Sequence, residues 1–340
     1  MSTKTDHPRG TEEPPRRSWG EGALLQWRRW LDNFEISRVV VYLGFVVVFV
    51  FFAIVLQDRG FLTAGNLMNI IRQTAPITVM AIGMTFCLSA GEIDLSIGSV
   101  VALSALVSAI VLREANVPLA ILAGLGVGLV VGLINGLLTV RVRIPSFLVT
   151  LGTLSILTGL SRTVTDLQAV PVQDETFTFW FGSGSFGSVS ILFVWTAVAV
   201  AVGHFYYRHT PFGRHVLAVG GSREAAASVG INVRRMKIAV LVITAMTAAV
   251  AGMIYAGRLH GARYTLGEAD LLTVIAATVV GGTSLFGGKG TVVGAMVGSI
   301  ILGMLNNGLI LMGLEVAEQM MARGMIIIVA VTLSLREARE

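Results

Sequence analysis

Charge and cysteine are what this 340-residue chain has least of. Asp, Glu, Lys and Arg make up 13% of it against roughly 25% in an ordinary soluble domain, while 54% is hydrophobic. No soluble core absorbs so much apolar surface, so the composition excludes a water-soluble globular domain and points to lipid. The single cysteine, Cys87, lies inside an apolar run. One thiol makes no intrachain disulfide, and the redox compartment is not readable from it. Histidine is scarce too: His7, His204, His209, His215 and His260 form no HExxH pattern, so no metal site is expected. A phosphate loop is also missing. The segment GGTSLFGGKGT, 281–291, comes nearest, but GxxxxGK[ST] fails twice, at Thr283 and at Gly290. The chain therefore has no visible means of hydrolysing a nucleotide and no constellation of catalytic residues, and no bound cofactor is expected.

What is present is a series of ten apolar runs, near 39–56, 67–90, 95–112, 119–140, 145–163, 189–206, 238–257, 271–286, 291–312 and 316–335. Each is close to the ~20 residues that cross ~30 Å of hydrocarbon as a helix. The expected fold is all-α, a polytopic membrane helix bundle of about ten spans. Residues 1–38 hold seven Lys/Arg and little periodicity, and read as a cytoplasmic arm with an interfacial helix from Trp19 to Trp30. Residues 39–335 form the membrane domain, and 336–340 a short cytoplasmic tail. With a cytoplasmic N-terminus, the inside segments hold 18 of the 25 Lys/Arg, in agreement with the positive-inside rule. The formal charge of +5 thus belongs to span ends, and no nucleic-acid face is expected.

Three features break the apolar pattern. First, GMTFCLSAGEIDLSIGS, 83–99, places Glu92 and Asp94 between apolar halves, where two carboxylates are costly unless they face water or protein, so a break or tight turn is expected. Second, Gly124, Gly128, Gly132 and Gly136 recur every four residues, as do Gly294 and Gly298; such spacing lines one helix face and lets backbones approach. Third, the 207–237 loop, with Arg208, Arg214, Arg223, Arg234, Arg235 and Lys237, is far longer than a helix connection needs. Within it, Ser222 suits an N-cap, Glu224 the first turn, Ala225, Ala226 and Ala227 the body and Gly230 the end of a short helix, about 222–229.

The run GRHVLAVGGSREAAASVGINVRRMK, 213–237, resembles the coupling loop of permease subunits of bacterial ABC importers of the ribose/xylose/arabinose type, and 224–230 reads EAAxxxG. The likeness extends to 83–105, similar to GMT…SGGIDLSVGS, to IPSFLVTLGTLSILTGL, 144–160, and to 278–313. Glu92 departs from it by standing where a second glycine is usual, and 161–188 matches nothing recognisable. The resemblance implies a permease half without its own ATPase site. Its partners are a second permease subunit, identical or related, cytoplasmic ABC ATPase subunits that use the ATP, and an extracytoplasmic solute-binding protein; its place is the bacterial inner membrane. Ser222, Arg223, Glu224, Ala225, Ala226 and Gly230 are then the expected ATPase-coupling residues. Polar residues in the matching blocks, Asp94, Ser96, Thr150, Thr153, Ser155, Asn306 and Asn307, are candidates for the translocation pathway. A small neutral solute, a monosaccharide by resemblance, is the expected cargo. On the residues alone, a gradient-driven secondary transporter or channel stays open as the alternative.

Overall fold

The computed structural model describes residues 36–315, 317–322, 324, 325 and 328. The N-terminal arm up to residue 35, most of the run 316–335 and the tail 336–340 lie outside the described residues. The described residues are helical almost throughout. Its helices are α1 (Ile36–Val55), α2 (Ala64–Ser89), α3 (Ile97–Glu114), α4 (Val117–Leu137, prolonged by a π-helical turn Leu138–Val142), α5 (Ser146–Thr165), α6 (Glu175–Thr178), α7 (Ile191–His209), α8 (Pro211–Gly221), α9 (Arg223–Ser228), α10 (Val233–Leu259), α11 (Asp270–Val280) and α12 (Val292–Met312). Four two-residue strands pair antiparallel, β1 (Val170–Pro171) with β4 (Gly261–Ala262) and β2 (Ser185–Phe186) with β3 (Val189–Ser190).

All ten apolar runs carry helix, the last at its described positions 317–322, 324, 325 and 328, and seven helices among the described residues are long and apolar enough to cross a membrane: α2, α3, α4 with its π turn, α5, α7, α10 and α12. The run 271–286 is a correction to the expected ten full spans. Its helix α11 has 11 residues, which at ~1.5 Å per residue covers about 16 Å, half of the ~30 Å core. Gly281 and Gly282, the latter in the left-handed region at φ +90°, end it. The 207–237 loop also holds more helix than the expected 222–229 segment, because α8 precedes α9. Pro211 at its first turn and the buried Gly213, Val216 and Val219 give α8 an inward face.

Close approach organises the centre. The glycines of α4 lie against α10: a Cβ at Gly128 would stand 2.7 Å from the Ala245 carbonyl oxygen, and one at Gly132 2.6 Å from Val242 Cα. Gly294 and Gly298 bring α12 equally near the Gly281 and Ala277 carbonyls at the end of α11. With helices this close, dispersion and interhelical hydrogen bonds, such as Thr78 to Ser299 at 2.6 Å, hold the bundle where lipid supplies no hydrophobic drive. Proline in the middle of α2 is tolerated for a related reason. Pro76 has no N–H for the carbonyl of Arg72, and the Arg258 guanidinium of α10 donates to that oxygen at 3.0 Å. Outward faces of α4, α5 and α7 stay apolar and exposed, as Leu122, Ile156 and Phe205 illustrate.

The segment 166–190, which holds most of the unmatched stretch 161–188, is an ordered excursion. β1 joins it to the chain after α10, the rings of buried Phe177 and Phe181 stack at 4.9 Å, and Trp195 Nε1 donates to the Trp180 carbonyl at 2.8 Å.

Candidate functional site

The expected break is present. α2 ends at Ser89, Gly91 turns the chain at φ +71°, and residues 92–96 run without helix into α3. Irregular backbone inside a membrane protein needs its polar groups satisfied by protein. The start of α5 does this: the Ile93 N–H donates to Ser146 Oγ (3.1 Å), the Leu95 N–H donates to Thr150 Oγ1 (3.0 Å), and the Thr150 hydroxyl reaches the Ile93 carbonyl at 3.3 Å. Asp94 is fully buried; its Oδ1 accepts from the Ser96 N–H (2.8 Å) and hydroxyl (2.6 Å). From Ser96 the network passes to α4 and α5, because Asn135 Nδ2 donates to Ser96 Oγ at 3.0 Å and Thr153 donates to Asn135 Oδ1 at 2.6 Å.

One residue before Ile93, the Glu92 side chain is 3% exposed and lies between two cations, Lys237 Nζ of α10 at 2.6 Å and Arg223 Nη2 of α9 at 3.0 Å. Arg223 Nη2 also donates to the Gly91 carbonyl at 3.2 Å. The departure of Glu92 from the glycine pattern therefore has a local account: its charge is buried because it is paired. A cavity of about 520 Å³ opens beside this pair, lined by Gly91, Glu92, Arg143, Ser146, Arg223, Arg234 and Lys237 among others.

α9 is the short helix that local chemistry predicts. Ser222 Oγ accepts from the Ala225 N–H at 3.2 Å, Glu224 sits in the first turn and Gly230, at φ +87°, follows its end. Ala226 is 2% exposed and packs inward, whereas Glu224, Ala225 and Val229, the last 76% exposed, face outward. Behind α9, glycine lets three segments meet. Gly220 of α8 lies so near the Ser89 carbonyl that a Cβ there would be 1.8 Å from its oxygen and 2.6 Å from the Gly288 nitrogen. The Gly288 N–H donates to that same carbonyl at 3.0 Å, and Ser89 Oγ shares a 2.7 Å hydrogen bond with Tyr207 Oη. Phe286, at the tip of the 281–291 turn, is 73% exposed beside Glu224.

The structure thus gathers four of the candidate pathway residues, Asp94, Ser96, Thr150 and Thr153, into one network beside Arg223. It does not bring the other three there. Ser155 is exposed on α5 and bonds its own helix at the Leu151 carbonyl. Asn307 exchanges amide hydrogen bonds of 2.9 and 3.0 Å with Asn66 near the far end of α2, with half-buried Asn306 beside it. Asn66 stands 23 residues before Ser89, about 35 Å along the helix. Sequence reasoning passed over Asn135, Ser146 and Tyr207. Asn135, a polar residue inside the apolar run of α4, was the signal available.

Comparison with known proteins identifies the family. Residues 66–331 match the family model described as branched-chain amino acid transport system, permease component. The ribose import permease protein of Bacillus subtilis is 37% identical over 299 residues, covering 87% of this chain and 92% of its own length. The L-arabinose ABC transporter permease protein of Azospirillum brasilense is 36% identical over 297 residues, 87% of each chain. The galactose/methyl galactoside import permease protein of Haemophilus influenzae is 35% identical over 317 residues, 87% of this chain and 94% of its own. No solved structure matches significantly. Permeases of this kind are multi-pass inner-membrane subunits that work with an ATPase, which uses the ATP, and with a substrate-binding protein. The chain belongs to this family of ABC importer permease components.

Proposed function

We propose that this permease moves a monosaccharide by alternating access, with the arginine-rich face cytoplasmic and α9 as the segment that seats on the ATPase. Sugars are the cargo in the names of its relatives, and the low charge of the spans suits a neutral solute. The observation that carries the reading is the meeting of α9, the 281–291 turn and the end of α2 at one face, with Glu224, Val229 and Phe286 left exposed around it. A soluble partner finds there a rigid bed with an acidic handle and two apolar contacts. Rigid-body displacement of that bed by ATP-driven closure switches the pathway between outward and inward access. A second permease subunit completes the pathway along the exposed faces of the bundle. Both chain termini lie on the cytoplasmic side.

The test is uptake of labelled ribose, arabinose and galactose by the chain reconstituted with its ATPase and binding protein. Glu224→Ala is expected to abolish uptake and the stimulation of ATP hydrolysis while membrane insertion is retained. Unchanged uptake overturns the coupling role of α9. A second reading, a gradient-driven carrier, draws on Asp94, whose Oδ2 has no hydrogen-bond partner among the described residues. It predicts uptake by the purified chain under a proton or sodium gradient with no ATPase present.

A further inference from the structure

Glu92 has two partners of different kinds. Lys237 is 16% exposed and sits on α10, within the bundle; Arg223 is 54% exposed and opens α9. The buried contact with Lys237 keeps the carboxylate neutralised whatever else happens, because removing either member strands a charge away from water. The half-exposed contact with Arg223 is of the weak, water-screened kind that forms and breaks at little cost. A single carboxylate therefore holds one permanent and one releasable cation. It is also the residue immediately before Ile93, whose N–H and carbonyl are held by Ser146 and Thr150 of α5, and two before Asp94, from which the bonds continue to Ser96, Asn135 and Thr153.

We propose that Glu92 is a positioning residue for transport, joining α9 to the α2–α3 break so that movement of α9 pulls on Ile93–Ser96 and, through Asn135 and Thr153, on α4 and α5. This rests on α9 being the ATPase-coupled segment. The polar network around the break is then the receiving end of the stroke, and Arg223 is its detachable hook. A purely structural counter-ion to Lys237 has no need of Arg223; the shared oxygen, Oε1, is what links the two cations.

The experiment measures monosaccharide transported per ATP hydrolysed by the full complex in proteoliposomes, with whichever of ribose, arabinose and galactose the wild type takes up. Glu92→Gln is expected to lower that ratio at least fivefold while hydrolysis stays within about twofold of wild type. Arg223→Gln, which removes the exposed partner and leaves the buried pair intact, carries the test should Glu92→Gln fail to assemble. It is expected to lower the ratio likewise, and Arg223→Lys to restore it. Wild-type ratios in both glutamine variants, or uptake and hydrolysis falling in equal proportion, overturn the inference while leaving the importer reading intact. A wild-type complex with no ATP-dependent uptake overturns both.

Discussion

The two ends of α2 are fastened by different chemistry. At Ser89 the helix meets Gly220 and Gly288 backbone to backbone, and the next residues tie to α5 by hydroxyls and to α9 and α10 by ions. At the other end, Asn66 and Asn307 exchange neutral amide bonds, and Arg258 donates to the Arg72 carbonyl that Pro76 leaves free. The amide pair is directional, reciprocal and uncharged, and it fixes α12 against α2. The other end mixes contacts that tolerate no added atom with an ion pair half in water. One end is built as an anchor, the other as a joint.

Substitutions that widen the joint sharpen this contrast most. Gly220→Val places new carbon within 2 Å of the Ser89 oxygen, where backbone has nowhere to go. Loss of nearly all uptake is expected in whole cells, with less purified protein. Next comes Thr150→Val, which keeps the side-chain shape and strips the Leu95 N–H of its acceptor. A buried donor left unsatisfied costs ~1–3 kcal/mol, so thermal unfolding in detergent should shift downward by several degrees, and a wild-type curve would mean that other groups hold the break. At the anchor the effects shrink. Arg258→Met is expected to cost about 1 kcal/mol as the Arg72 carbonyl loses its donor, read by the same melting curve with uptake retained. Smallest per bond is Asn307→Leu, about 0.6 kcal/mol for each of its two hydrogen bonds to Asn66, as for interhelical hydrogen bonds in other membrane proteins. A double-mutant cycle with Asn66→Leu reads the coupling, and a large loss of transport there would give Asn307 a role in the pathway beyond fastening α12 to α2.

Much of the fold was legible because the spans are set by length and hydropathy, which the bilayer imposes residue by residue. The short α9 was legible for a different reason: Ser222, Glu224 and Gly230 act locally, through capping and turn geometry. The 271–286 run misled because its apolar composition continues through Gly281 and Gly282 to Leu285 and Phe286 after the helix has stopped. The inward side of Ala226 was not legible, because a helix of six residues has no periodicity to tell its inner from its outer side. The pathway candidates divided because Asn307 and Thr153 look alike in a sequence, polar residues in apolar helices. Which partner each finds is decided by helix pairing, and nothing local encodes that.

α10 is unbroken from Val233 to Leu259, 27 residues or about 40 Å. Near its start stands Lys237, against Glu92; just past its end, β4 clasps β1 of the 166–190 excursion. Because the helix is continuous, the excursion and the Glu92–Lys237 pair stand at the two ends of one stiff rod, and a load on either end is carried to the other.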